Sequence, residues 1–344
     1  EEVKKAGIIF DNLQIDIEKI HNWKDKTISE LNSGIKKLAS ARKIKILNGL
    51  ANFNSANQLE ITDKQNKNLL LNFENCIIAT GSSPQIIPNL NKKHPNIINS
   101  TEALNFKNIP ERLLVIGGGY IGLELGEVYS ALGSKVTVAE FLPSILSMAD
   151  NDLSSVLTNS LEKKFENIFT STEVTELIPK GNDHVIATFK NNKTFKDSFN
   201  KVLICIGRTP NTSKLDIEKT GIKLDDKGFI PVNDQRRTLI PNIFAIGDVT
   251  GNPMLAHKAT HEGKVAAEVI SGENASFNPL AIPSVIYTNP EVAWCGDTEN
   301  ELNEQSIRFV KAEFPWNASG RALAVDAING KTKILCNEKK TKIL

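Results

Sequence analysis

Residues 112–122 read Arg112-Leu113-Leu114-Val115-Ile116-Gly117-Gly118-Gly119-Tyr120-Ile121-Gly122. The apolar run before the glycines has the form of a short buried strand. G-x-G-x-x-G follows at once and opens a helix expected over residues 123–132. Lys135-Val136-Thr137-Val138-Ala139-Glu140 then reads as the next strand. Each glycine has a physical task. Gly117 permits a tight turn, Gly119 lets the backbone approach a pyrophosphate, and Gly122 lets helix and strand pack closely. The helix N-terminus favours the negative charge. Glu140 closes the second strand about 20 residues beyond the glycines, where a carboxylate accepts from both ribose hydroxyls. The glycines alone are weak evidence. The succession strand, loop, helix, strand, acid predicts a dinucleotide site, here in the middle of the chain.

The end of the second strand also selects the nucleotide. Sites for NADP place arginine there for the 2′-phosphate. Here the sequence continues Glu140-Phe141-Leu142-Pro143-Ser144-Ile145, with no basic residue. A carboxylate at that point repels the phosphate, so NAD is expected.

A chain of 344 residues, 40% of them hydrophobic, is long enough for two or three domains. Its formal net charge of +1 argues against a dedicated nucleic-acid binder. No apolar run reaches membrane-spanning length, and the first residues lack a charged-then-apolar signal pattern. The short runs Lys36-Lys37, Lys92-Lys93 and Lys339-Lys340 read as solvated surface. Cys76, Cys205, Cys295 and Cys336 form no close pair, so no C-x-x-C motif is present. Cys76 and Cys205 sit in apolar strand patterns and read as small core residues. This cysteine usage fits a reducing compartment, the cytoplasm. Residues 1–5 contain no initiator Met, and residues 339–344 stop inside what reads as a strand after a charged turn. The expectation is a fragment of a longer protein.

Residues 15–40 fit an amphipathic helix, with Ile20, Trp23, Thr27, Leu31, Ile35 and Leu38 at helical spacing. Strand-like pieces follow at 43–47, 58–62 and 69–73. Asn75-Cys76-Ile77-Ile78-Ala79-Thr80-Gly81 is an apolar strand ending in a glycine turn, and residues 202–210 and 242–248 repeat that shape. Residues 73–84 and 199–210 both run strand, glycine, turn, proline. Either they are a weak internal repeat of two related nucleotide-binding units, or they are ordinary buried parallel strands ending in glycine. Asp248 either faces a crevice at the carboxyl end of a sheet or caps a turn. His257 and His261 lie four apart on the helix that follows, but Glu262 stands outside them rather than in H-E-x-x-H order. No third ligand is evident, so no metal is expected.

Taken in order, Ala79-Thr80-Gly81-Ser82, then Gly117 to Gly122 with Glu124, then Ile206-Gly207-Arg208-Thr209-Pro210-Asn211, then Ala245-Ile246-Gly247-Asp248, resemble the FAD-dependent pyridine nucleotide–disulfide oxidoreductases. Residues 110–115, 253–263, 287–294 and 314–322 bring the chain nearest to the branch that reoxidises dihydrolipoamide, and the resemblance covers essentially the whole chain. It implies an α/β fold: two tandem Rossmann-like nucleotide-binding domains, the FAD domain incomplete and the NAD domain complete, plus a partial α+β dimerisation domain. The implied limits are 1–107 for the rest of the FAD domain, 108–240 for the NAD domain, 241–280 for the return to the FAD or central domain, and 281–344 for the dimerisation part. By the same resemblance Gly81, Asp248 and Ala256 would face FAD. Asp248 would hold the ribityl hydroxyls. Gly117, Gly119, Tyr120, Ile121 and Gly122 would wrap the NAD pyrophosphate, and Glu140 would take the adenine ribose. Val174 and Gly207 would line the NAD cleft. Glu124 matches an acid that sits beside flavin and nicotinamide and pairs with a lysine, here expected ahead of residue 1. Tyr120 either covers the nicotinamide pocket, as in some relatives, or packs on the helix face.

The family opens with its own G-x-G-x-x-G and a C-x-x-x-x-C redox pair, and closes with an acid–base His and Glu. None is assignable within these 344 residues, so the catalytic residues of the disulfide chemistry are expected outside them and the fragment alone is expected to be inactive. The activity implied for the full protein moves electrons from protein-bound dihydrolipoamide, through a redox disulfide and FAD, to NAD. The implied partners are a second copy of the chain, in a homodimer, and the lipoyl-bearing acyltransferase of a 2-oxoacid dehydrogenase complex. Another flavin disulfide reductase, a transhydrogenase, or a non-catalytic nucleotide-binding subunit remain the alternatives.

Overall fold

The computed structural model describes residues 7–9, 14–90, 93–106 and 108–344. Residues 1–5 and Lys92, both read above, lie outside the described residues. Helix α1 (Ile17–Ala41) begins at Asp16, whose carboxylate accepts the Lys19 N–H at 3.0 Å. Its apolar stripe is not covered: among the described residues no side chain of α1 is buried, and Trp23 is 73% exposed. The helical period was legible, but the packing it implies is not made by these residues. Strands β1 (Leu50–Ser55), β2 (Gln58–Thr62) and β3 (Asn68–Asn72) form an antiparallel sheet. Residues 43–47, expected as a strand, form no regular element. β4 (Cys76–Ile78) and β5 (Ser82–Pro84) follow.

The next unit contains the glycine-rich stretch. In order it runs β6 (Ile97–Asn99), α2 (Ser100–Ala103), β7 (Arg112–Ile116), α3 (Tyr120–Ala131), β8 (Lys135–Ala139), α4 (Asn151–Leu161) and β9 (Asn167–Phe169). β10 (Glu173–Lys180), β11 (His184–Lys190), β12 (Thr194–Phe199) and β13 (Lys201–Ile204) complete it. The order β6-β13-β7-β8-β9 forms one five-stranded sheet, parallel throughout. Both faces are covered, which is why the strands read as continuous apolar runs rather than alternating ones. Leu113 and Val115 face α3 and α4 in a core with Leu123, Leu157 and Leu161. Leu114 and Ile116 point the other way, against the antiparallel sheet of β10, β11 and β12, with Phe189 and Phe199.

Beyond β13 the chain returns to the first segment. β14 (Arg208–Pro210) pairs antiparallel with β5, and β15 (Ile243–Ala245) lies parallel to β4. The two look-alike stretches of the sequence therefore meet tail against tail. Phe53 and Ile78 of the first segment form one core with Ile217, Ile230, Ile243 and Val249 of the returning one. α5 (Ala256–Ile270) packs Val265, Ala266 and Val269 on Phe244.

The last part mixes two hairpins with short helices: β16 (Ser284–Ile286), β17 (Val292–Trp294), α6 (Glu299–Glu304), β18 (Phe309–Pro315), α7 (Gly320–Ala324) and β19 (Lys331–Asn337). Residues 339–344, read as ending inside a strand, make only a single bridge, Ile343 to Cys336. Among the described residues no helix is long and apolar enough to cross a membrane.

Candidate functional site

The glycine turn joins β7 to α3, and its geometry explains each glycine separately. Gly117 has φ +103°, and a Cβ there would lie 2.3 Å from the Cys205 carbonyl oxygen. A Cβ on Gly122 would lie 2.3 Å from the Gly117 carbonyl oxygen. These two glycines are needed by the fold itself. A Cβ on Gly119 would meet nothing within 4 Å, so the chain alone does not demand glycine there. Open space beside an N-terminus whose first turn carries no side-chain cap suits an anion approaching the backbone.

Glu140 follows β8 and turns back on that loop. Its Oε2 accepts the Gly118 N–H at 2.5 Å and its Oε1 accepts the Leu142 N–H at 2.7 Å. The carboxylate is thereby fixed, while about two of its roughly four acceptor positions remain for a ligand. Gly119, Glu140, Val174, Gly207, Leu255 and Trp294 all line one cleft of 1260 Å³. Tyr120 and Ile121 line it too. Tyr120 also packs on the core of the parallel sheet, so cleft and packing are both served. Its phenol is pushed up chiefly by burial, with Asp248 and Glu124 acting the same way and Arg208 opposing them. A smaller cavity of 400 Å³, beside His94, Phe106 and Tyr129, contains none of the expected site residues.

Glu124 is half-buried on α3. Among the described residues it accepts the Tyr287 N–H at 2.9 Å rather than meeting a lysine. One turn on, Glu127 accepts the Asn289 N–H at 2.8 Å and pairs with Lys164. This face of α3 therefore carries the C-terminal part of the chain, which brings Ser284 and Trp294 to the cleft wall.

Gly81, Asp248 and Ala256 lie where the first segment and the returning segment meet. Gly81 has φ +69°, and a Cβ there would meet nothing within 4 Å. Asp248 sits in a 3-10 turn, Gly247–Thr250, directly after β15. Its Oδ2 accepts from the Ser82 hydroxyl at 2.5 Å, and that hydroxyl accepts from Arg208 Nε at 2.6 Å. Ala256 is the exposed first residue of α5, next to Met254 and Leu255 of the cleft wall.

The turn that carries Asp248 rests on a buried ion cluster that the sequence did not disclose. Glu262 is fully buried and accepts the Gly247 N–H at 2.6 Å. It pairs with Arg236 at 2.9 Å and Lys258 at 3.2 Å. Lys258 in turn donates to the Gly251 carbonyl at 3.2 Å. The two histidines weighed as a metal pair have other surroundings. His257 Nε2 lies 2.8 Å from the Pro283 carbonyl, and His261 lies edge-on to Phe277.

A second missed cluster joins the parallel-sheet unit to the C-terminal hairpins. Asp150, Asp152 and Glu299 bring carboxylate oxygens within 4.8 Å of one another. The Lys333 ammonium stands among them at 2.6, 2.8 and 2.8 Å. This is an ion-pair clasp. Partial burial alone would raise Asp152, yet hydrogen bonds from Lys333 and Lys331 hold it well below the usual carboxylate range. The cysteines stay unpaired. Burial pushes the Cys76 thiol up to about 11 and the Cys205 thiol up to about 12.

A parallel α/β unit with a glycine turn and an acid at its second strand, joined to a segment that leaves and returns, defines a class. The chain belongs to the pyridine nucleotide-disulphide oxidoreductases: residues 3–263 match that family, and residues 282–344 match its dimerisation domain. It is 42% identical over 340 residues to a dihydrolipoyl dehydrogenase of Vibrio parahaemolyticus, covering 98% of this chain and 71% of the relative. It is 43% identical over 345 residues to a dihydrolipoyl dehydrogenase of Buchnera aphidicola, covering 100% of this chain and 72% of the relative. Among solved structures, the HOCl-induced flavoprotein disulfide reductase RclA of Escherichia coli superposes with TM-score 0.86 at 25% identity, over 96% of this chain and 75% of that one. LpdA of Mycobacterium tuberculosis superposes with TM-score 0.88 at 24% identity, over 96% of this chain and 73% of that one, and so shares the fold.

Proposed function

We propose that this chain supplies the NAD site, part of the FAD site and part of the dimerisation surface of a dihydrolipoyl dehydrogenase. The observation that carries the reading is the single cleft whose lining runs from the open glycine turn and Glu140 to Arg208, the start of the Ser82–Asp248 network. The residues fit the two cofactors. Gly119 and Gly81 leave open space where backbone would approach a ligand, and Asp248 keeps one carboxylate oxygen without a hydrogen-bond partner among the described residues. Gly117, Gly119, Tyr120, Ile121 and Gly122 would hold the NAD pyrophosphate, Glu140 the adenine ribose, and Val174 and Gly207 the cleft wall. Gly81, Asp248 and Ala256 would hold FAD. When bound, the flavin supplies the redox chemistry between a protein disulfide and the pyridine nucleotide. The chain's own residues would bind and orient: Glu140 would select NAD by its charge, and Tyr120 would line the cleft, its phenol feeling Arg208, Asp248 and Glu124.

The match to the dimerisation domain supports a homodimer. The similarity to dihydrolipoyl dehydrogenases supports a lipoyl-bearing acyltransferase of a 2-oxoacid dehydrogenase complex as partner. Unpaired cysteines support a cytoplasmic location. The domain limits proposed are 1–107, 108–240, 241–280 and 281–344. The test is NADH formation from dihydrolipoamide by the protein expressed from its own reading frame, with FAD retention measured on the same sample. Hydride exchange between pyridine nucleotides, with no turnover of dihydrolipoamide, would replace this reading with a transhydrogenase. NADPH-dependent disulfide reduction would replace it with a sibling reductase.

A further inference from the structure

Between the Arg208 guanidinium and the Asp248 carboxylate stands one small side chain, Ser82. Ser82 opens β5 and Arg208 opens β14, and the antiparallel register of these strands sets Ser82 against Pro210 and Arg208 against Pro84. The Arg208 guanidinium therefore reaches back along the pair. It donates from Nε to the Ser82 hydroxyl at 2.6 Å and from Nη2 to the Ser82 carbonyl at 2.7 Å. The Ser82 hydroxyl donates to Asp248 Oδ2 at 2.5 Å. The direction of this chain of bonds is fixed by chemistry. A guanidinium N–H only donates and a carboxylate only accepts, so the single serine proton must point at Asp248. The arginine charge polarises that hydroxyl and strengthens its bond to the acid. Arg208 and Asp248 themselves are held apart, with the hydroxyl between them.

We propose that Ser82 is a positioning residue that holds the Asp248 carboxylate for the hydroxyls of the flavin's ribityl chain and keeps Arg208 from pairing with it directly. This rests on the assignment of Asp248 to FAD given above. The serine ties up Oδ2 only, so Oδ1 stays available to a ligand hydroxyl. Without the serine hydroxyl, the planar guanidinium loses its partner at Nε, and Asp248, which shared that hydroxyl, is an acid within its reach. An arginine fork closing on a carboxylate makes two parallel bonds and occupies both oxygens. The acid would then be withdrawn from the flavin by a side chain that, in the unaltered protein, supports it.

The consequence is a reversal of sign that a merely structural serine would not produce. Flavin affinity is read by quenching of FAD fluorescence on titration with the protein, and NAD affinity is read separately as a control set by Glu140 and the glycine turn. Ser82→Ala weakens FAD binding about tenfold, the scale of one hydrogen bond to a charged group, and leaves NAD binding unchanged. Ser82→Thr keeps the hydroxyl and binds FAD as the unaltered protein does. Arg208→Met weakens FAD binding in the otherwise unaltered protein, because the hydroxyl loses its polarising charge. The same Arg208→Met change improves FAD binding in the Ser82→Ala background, because the competing cation is gone. Additive losses in the double variant, or equal losses in Ser82→Thr and Ser82→Ala, would overturn the proposal while leaving the function reading intact. All variants are made in the protein expressed from its own reading frame, and failure of that unaltered protein to bind FAD at all would overturn both.

Discussion

If Glu140 takes the adenine ribose as proposed, nucleotide choice turns on it, and the effect of removing it follows from its hydrogen bonds. Its two oxygens already hold the Gly118 and Leu142 N–H groups at 2.5 and 2.7 Å. On the proposed assignment, the remaining acceptor capacity serves the adenine ribose. Glu140→Ala deletes the acceptors for the sugar and frees both backbone donors of the loop. Each hydrogen bond to a charged group contributes about 1.5–3 kcal/mol. A ribose held mainly by this carboxylate therefore loses that much affinity, about 10- to 100-fold in Kd. Glu140→Gln is the sharper variant. An amide has one acceptor oxygen and one donor nitrogen, so one of the two backbone N–H groups must face another donor. Its loss should match or exceed that of alanine although its shape is nearly unchanged. The same substitutions remove the negative charge that disfavours a 2′-phosphate, so the preference for NAD over NADP should shrink in both. The assay is calorimetric titration of the purified protein with each nucleotide, with a thermal melt in their absence to exclude unfolding. Tighter binding of NADP than NAD by the unaltered protein would refute the reasoning. So would a Glu140→Ala variant with unchanged NAD affinity.

Gly119→Ala should fold with an unchanged melting temperature, since its Cβ meets nothing within 4 Å, yet lose NAD affinity; Gly122→Ala should melt lower, since its Cβ would lie 2.3 Å from a backbone oxygen. Lys333→Met should cost ~3 kcal/mol in chemical denaturation, because it strands partly buried carboxylates. Asp152 and Glu299 are held below their ordinary range by lysines against the opposing effect of burial. The stability they add is therefore present above the unfolded carboxylate pKa of about 4 and lost as pH falls below it. Melting curves from neutral pH downward should show that loss in the unaltered protein and a flatter profile in Lys333→Met. Toward a thiol reagent at neutral pH, exposed Cys295 should react first, while Cys76 and Cys205, pushed up to about 11 and 12, react slowly. The polypeptide of these 344 residues, supplied with FAD and NAD, should form no NADH from dihydrolipoamide, because its four scattered cysteines offer no C-x-x-x-x-C pair.

What could be read in the sequence was what is local. The strand of Arg112–Ile116, the glycine turn and the acid after Lys135–Ala139 lie within 29 residues, and each is recognisable from its own neighbours. Ser82, Arg208 and Asp248 fall in three separate motifs, and nothing in the sequence says that they meet. Glu262 was judged only against the two histidines beside it, whereas its partners are Arg236, Gly247 and Lys258. The Lys333 clasp gathers acids from residues 150, 152 and 299, and no spacing rule links them. Charge pairing across long separations leaves no periodic trace, so such networks surface only once the fold is known. Helix α1 shows the converse limit. The period was right, but periodicity states which side is apolar, not what covers it.

The pairing of β4 with β15 and of β5 with β14 also has a history in time. Asn52 donates to the Lys214 carbonyl at 2.7 Å across 162 positions, and Thr80 donates to the Asn211 carbonyl across 131. Between those points lies the parallel-sheet unit, whose strands β6, β7, β8, β9 and β13 pair with one another. Ribosomes add about 5–20 residues per second, so the first segment waits roughly 10–30 s for its partners to be made. During that interval the inner unit can close, while β4 and β5 present bare strand edges and Phe53 has no core to enter. Such edges invite pairing with other chains. Correct folding therefore depends on how well the earliest-made strands are sheltered until the latest-made ones arrive.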